Sequence, residues 1–177
     1  MGNMGITEFH RASRNEMKQR VVGLAAEAFR VNGVKDVTMD DIARQLGMSK
    51  RTLYQLFKDK QQLLLECVRQ YTEREERVMG EYMERAGNVV SFFLQIFERR
   101  IRESENVSPR FLPEMKKYPE VMKYMREHHR AQVDEGVDFL RRGMAEGLLR
   151  SDIDPRIVFD TLGVLADYIT SETALRS

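Results

Sequence analysis

Residues 39–57 read MDDIARQLGMSKRTLYQLF, and this stretch limits what the chain can fold into more than any other part of it. With Met39 as the first position, the places where two short helices must pack hold Ile42, Leu46, Met48, Leu53 and Leu56. The place where those helices cross most closely holds Ala43, small enough to let them approach. The turn between them holds Gly47, which adopts a positive φ without a Cβ penalty. Seven constrained positions agree at once. The unit that fits is a helix-turn-helix, whose second helix enters the major groove of duplex DNA.

Apolar spacing of three and four runs through the rest of the chain, so the expected fold class is all-α, a three-helix head followed by a helical bundle. A first helix is expected from Arg14 to Asn32, with Val21, Leu24, Ala25, Ala28 and Phe29 inward and Gly33 closing it. Thr38 reads as an N-cap ahead of Asp40 and Asp41, and Ser49 as the N-cap of the reading helix. A long helix is expected from Lys60 to Arg85, stopped by Gly87-Asn88. The next, Val89 to Glu105, opens VVSFFLQIF and is apolar nearly all round, which predicts a path through the middle of the bundle. A short helix over Arg110–Lys117 precedes one from Pro119 to Leu148, whose stripe is Val133, Val137, Leu140, Met144 and Leu148. Pro155 opens the last helix, which is expected to end near Thr170.

Charge divides the chain. Residues 1–60 carry eleven Lys/Arg against seven Asp/Glu, whereas residues 61–177 carry eighteen against twenty-one. Between Ser49 and Lys60 four bases (Lys50, Arg51, Lys58, Lys60) meet one acid, Asp59. A phosphate-binding head on a mildly acidic body has this distribution, and its coincidence with the helix-turn-helix gives it meaning. Arg51 and Gln55 can each make a bidentate base contact, to guanine and adenine respectively. Lys50, Thr52, Tyr54, Lys58 and Lys60 suit phosphate, Ser49 is expected at the DNA-binding surface as well as capping the reading helix, and Thr38 can donate to phosphate as well as cap.

The single cysteine, Cys67, sits among Leu63, Leu64, Val68 and Tyr71, which predicts a core thiol and a reducing compartment. No apolar run reaches the ~20 residues of a membrane span, and the first residues lack a signal-peptide core, so a cytoplasmic location and no membrane partner are expected. His128 and His129 are adjacent and cannot face one metal from one side of a helix; surface histidines and no metal site are expected. Paired carboxylates such as Glu75-Glu76 fall on polar faces, so neither an enzyme nor a cofactor is expected.

Two further surfaces follow from apolar patterning. Met and Phe line adaptable pockets, and Phe93, Phe97, Phe111, Met115, Tyr118 and Met122 cluster around a proline-framed segment. The run IVFDTLGVLADYI is apolar on two sides, more than one protomer can cover. An interface with a second copy is therefore expected from Val137, Leu140, Met144, Phe159, Leu162, Gly163, Leu165, Ala166 and Ile169.

Gly33, then Val37-Thr38-Met39-Asp40-Asp41-Ile42-Ala43, Gly47-Met48-Ser49-Lys50-Arg51-Thr52-Leu53-Tyr54 and Phe57, Lys58, Lys60, Leu63 together resemble the tetracycline-repressor (TetR) family over residues 14–65. The rest resembles it in outline, through Glu146-Gly147-Leu148 and Asp154-Pro155 ahead of a buried helix. That resemblance implies a homodimeric one-component regulator, a repressor in the usual case. A DNA-binding domain over 1–59 would bind a near-palindromic operator, and a domain over 60–177 would bind a small apolar or amphipathic effector and dimerise. Two departures stand out: Leu56 occupies a position where the family often has His or an aromatic, and the family body usually continues one helix beyond the segment near Thr170. Two other readings fit the residues: a helical interaction module without specific DNA binding, and a DNA-bound factor without an inducer.

Overall fold

The computed structural model describes residues 3–104 and 107–176, with side chains for 12–103, 107–130, 132–165 and 168. Among the described residues there are eight α-helices and no strand: α1 Asn3–Asn32, α2 Met39–Gln45, α3 Lys50–Leu56, α4 Lys60–Arg85, α5 Val89–Ser104, α6 Phe111–Met115, α7 Pro119–Ala145 and α8 Pro155–Arg176. The expected boundaries of α4 are met residue for residue. α1 begins earlier than Arg14, α7 ends at Ala145 rather than Leu148, and α8 continues past Thr170 to Arg176.

Local chemistry explains the head. Thr38 forms a capping box with Asp41: its hydroxyl oxygen accepts from the Asp41 N–H while the Asp41 carboxylate accepts from the Thr38 N–H. Ser49 caps α3 by accepting from the Thr52 N–H at 3.1 Å, and Asp59 caps α4 by accepting from the Gln62 N–H at 2.8 Å. Each such cap stabilises its helix by ~1 kcal/mol. Gly47 takes φ +64°, and this left-handed turn lets the Met48 N–H reach the Ala43 carbonyl at 3.0 Å. Ile42, Ala43 and Leu53 are buried as the pattern required, and Leu56 is core.

The head core does not stop at residue 59. Leu63, Leu64, Cys67 and Val68 of α4 lie in the same cluster as Val21, Phe29 and Leu53, and so do Met115 and Val121 of the body. Burial pushes the Cys67 thiol up to about 12, so it behaves as a small apolar group.

The body is looser. Phe92 and Ile96 of α5 pack with Ala86, Phe93 and Phe139, and the Phe92 and Phe139 rings meet edge to face at 4.9 Å. The central path expected for α5 is not what the fold adopts: Val90 and Leu94 face outward, Leu94 with 61% of its surface exposed. α4, α7 and α8 pack against α5 and leave this outer stripe uncovered within the chain. Two glycines bring α7 close to its neighbours. A Cβ on Gly136 would lie 2.1 Å from the Phe159 ring of α8, and one on Gly143 would lie 2.5 Å from Val89 of α5.

Two expectations about polar residues change. His128 is not a surface residue; its side chain is 14% exposed, stacks on Tyr124 and lies 3.4 Å from Glu76, while His129 is exposed. Glu75 is not on a free polar face but pairs with Arg99 in the α4–α5 seam, both side chains mostly covered. No helix among the described residues is long and apolar enough to cross a membrane.

Candidate nucleic-acid interface

α3 is held by its inner side. Leu53 is fully buried, Leu56 and Phe57 nearly so, and these three anchor a helix too short to persist alone. Anchoring that face turns Lys50, Arg51, Tyr54, Gln55 and, just past the helix, Lys58 to the exterior. The expected base-contacting pair, Arg51 and Gln55, are four apart and share this exposed side. Lys50 pairs with Asp40 across the two helices, and Thr52 is half-buried with its hydroxyl 2.8 Å from that of Ser49.

Two expected phosphate contacts sit differently. The Thr38 hydroxyl donates to the Asp41 carboxylate at 2.5 Å, and its N–H donates to the same oxygen at 3.1 Å, so both donors serve the cap. That hydroxyl holds the Asp41 carboxyl below the usual carboxylate range. Lys60 reaches back into the junction with the body. Its ammonium donates to the Lys35 carbonyl at 3.2 Å and lies 6.0 Å from the centre of the Phe29 ring. Burial pulls its pKa down, opposed by the carboxylates of Glu114, Asp36 and Asp41.

α1 contributes residues that the sequence reading did not single out. The Arg14 guanidinium donates to the Gln55 carbonyl at 3.1 Å, and the Lys18 ammonium lies 5.9 Å from the centre of the Phe57 ring. Ser13, Arg14 and Met17 form a shallow groove with Thr52, Gln55 and Leu56. Arg14 was legible only as a charge near a helix start; its approach to α3 depends on how α1 crosses the head.

The six residues expected around one ligand pocket divide. Phe111, Met115 and Tyr118 pack against the head cluster, Met115 fully within it. Phe93 belongs to the second cluster with Phe92 and Phe139, and Phe97 and Met122 are half-buried.

The expected dimer surface divides too. Val137 and Leu140 are already buried inside the single chain, because their stripe of α7 faces its own bundle, and so they cannot supply an interface. Phe159 packs over Gly136, and Met144 and Leu162 are half-buried. Gly163 and Leu165 are exposed, while the side chains of Ala166 and Ile169 lie outside the described residues. Apolar residues that do face outward from α8 include Ile157, Val164 and Tyr168, each more than 60% exposed.

Comparisons with known proteins cover different shares of the chain. Residues 22–67 match the family model described as bacterial regulatory proteins, tetR family. The HTH-type transcriptional repressor KstR2 of Mycolicibacterium smegmatis is 25% identical over 148 residues, 80% of this chain and 72% of that protein. An HTH-type transcriptional regulator of Staphylococcus aureus is 40% identical over 53 residues, 30% of this chain but only 29% of that regulator's length. A transcriptional regulator from Saccharomonospora viridis, solved in complex with choline, superposes with a TM-score of 0.75 at 18% identity, covering 90% of this chain and 94% of that one.

Proposed function

This chain belongs to the tetracycline-repressor family of bacterial transcriptional regulators, and from that premise we propose that it is a one-component repressor, homodimeric and released from its operator by a small organic effector. One observation carries the reading: Lys50, Arg51, Tyr54 and Gln55 stand exposed on a helix fixed from behind by Leu53 and Leu56. Arg51 and Gln55 read bases, and Lys50, Thr52, Tyr54 and Lys58 hold phosphate and set register. Ser49 and Thr38 serve by capping their helices, and Lys60 by donating to the Lys35 carbonyl. Residues 1–59 together with the first turns of α4 act as the DNA-binding unit, and the remainder of 60–177 as the regulatory one.

A single seven-residue helix touches too few base pairs for an operator. Two heads ~34–36 Å apart on a near-palindromic site double the contacts. The outward side of α8, with Ile157, Val164, Leu165 and Tyr168, supports a symmetric interface in which Gly163 allows close approach. The effector class follows from the aromatic and Met-rich body, and the choline held by the Saccharomonospora viridis neighbour supports a small organic ligand. Coupling of ~1–3 kcal/mol between effector and DNA is enough to clear an operator.

The test is selection of duplex sequences from a random pool at low salt. Enrichment of a near-palindrome, relaxed at one base pair by Arg51→Ala or Gln55→Ala, is the expected result. A pool without enrichment sinks the reading. Sedimentation checks the dimer: Leu165→Glu should yield monomers with a folded head and no specific binding, and a wild-type monomer at tens of micromolar would refute it.

A further inference from the structure

Beneath the head, a short stretch of the body grips the loop that joins α1 to α2. The Ser108 N–H donates to the Arg30 carbonyl at 2.8 Å, near the end of α1. The Arg110 guanidinium donates to the Asp36 carboxylate at 2.8 Å. At the centre is Glu114 of α6, a carboxylate only 9% exposed, which accepts from the Lys35 N–H at 2.7 Å. The carboxylate lies hard against Gly33, where a Cβ would come within 2.9 Å of Oε2. Lys60, at the start of α4, closes the cluster by donating to the carbonyl of the same Lys35.

We propose that Glu114 is the positioning residue through which the body sets the placement of the DNA-reading head, by holding the Lys35 backbone from α6. This rests on the reading of the head as a DNA binder and names the regulation of that same site. Three features single out this contact. The apolar neighbours Phe111, Met115 and Tyr118 pack without direction and the Arg110–Asp36 pair is exposed, whereas the hydrogen bond that the buried Glu114 carboxylate accepts from the Lys35 N–H has a defined geometry. Lys35 lies three residues before Thr38, the cap of α2, and Val34 and Val37 on either side of it are buried. The loop therefore cannot absorb a displacement of α6 by swinging into solvent. A shift of α6 must either carry α2 with it or leave the carboxylate of Glu114 buried away from its partner, a state strongly disfavoured in a low-dielectric site.

Coupling of this kind is reciprocal, so it can be read from the DNA side without an identified effector. The experiment is hydrogen exchange on the full-length protein with and without the selected operator duplex, for wild type, Glu114→Gln and Glu114→Ala. In wild type, operator binding should change exchange across residues 108–118, remote from the reading helix. Glu114→Ala should abolish that response and speed Lys35 amide exchange by about tenfold or more. Glu114→Gln keeps an acceptor oxygen without the charge facing Lys60; it should retain Lys35 protection in part and serves where Glu114→Ala folds poorly. A wild-type α6 that ignores the operator, or a response that survives in Glu114→Ala, overturns the proposal while leaving operator binding intact. If no duplex binds, the functional reading falls separately. Lys35 exchange in the DNA-free variants then decides the strap: protection unchanged in Glu114→Ala refutes it.

Discussion

The head and the far half of the body solve the burial problem in different ways. In the head, capped short helices close on a cluster where Val21, Phe29, Leu53 and Leu64 are fully covered. In the body, α5 and α8 bury one side each and leave Leu94, Val164 and Tyr168 in solvent. A region that must present one rigid helix needs every other side of that helix fixed. The body has no such requirement, and apolar surface left uncovered on it is surface open to a further contact. The seam between the two is not at residue 59, since the first turns of α4 belong to the head core.

The largest effect tests that seam. Leu53→Ala and Leu64→Ala each remove a fully buried side chain, one on either side of residue 59, and each should destabilise by ~2–5 kcal/mol. Because both lie in one cluster, each should lower the same single thermal transition; separate transitions for head and α4 would break the comparison. Next in size is Gly143→Ala, whose Cβ would meet Val89 Cγ1 at 2.5 Å and should cost ~1–3 kcal/mol by urea midpoint. Relief by a second change, Val89→Ala, would show that the body is pinned there, and a neutral Gly143→Ala would show that α5 slides.

Thr38→Ala removes the cap of α2 and should destabilise by ~1 kcal/mol, read as faster amide exchange in α2 with α5 unchanged. Its partner Asp41 has a folded-state pKa below the unfolded value. The contribution is therefore complete above the ordinary Asp pKa of ~3.9 and is lost as pH falls through the lower folded value. Acidification to about pH 5 should leave the cap untouched. The smallest change in stability belongs to Lys50→Ala, an exposed pair with Asp40, at less than ~1 kcal/mol. That same substitution should weaken binding to all duplexes alike and reduce the salt slope by about one. A large stability loss with no change in salt slope would move Lys50 from the interface to the scaffold.

The sequence by itself determined the head. Caps, turn glycine and apolar register in residues 38–57 are local, each constrained by neighbours within one or two helical turns, so Thr38, Gly47, Ser49 and Leu53 could be placed from their spacing alone. The helical class of the body and most of its boundaries were legible for the same reason. What only the tertiary structure decided is which face of each long helix meets which neighbour. Val137 and Leu140 carry the same apolar signal whether they pack within the chain or against a partner, and the bundle uses them within. Lys60 carries the same charge whether it meets phosphate or the Lys35 carbonyl, and the packing of α4 beside the α1–α2 loop brings it to Lys35. Arg14 at Gln55 and Glu114 at Lys35 join residues 41 and 79 positions apart. Periodicity reports how a residue faces its own helix axis, and such contacts depend on how separate axes cross.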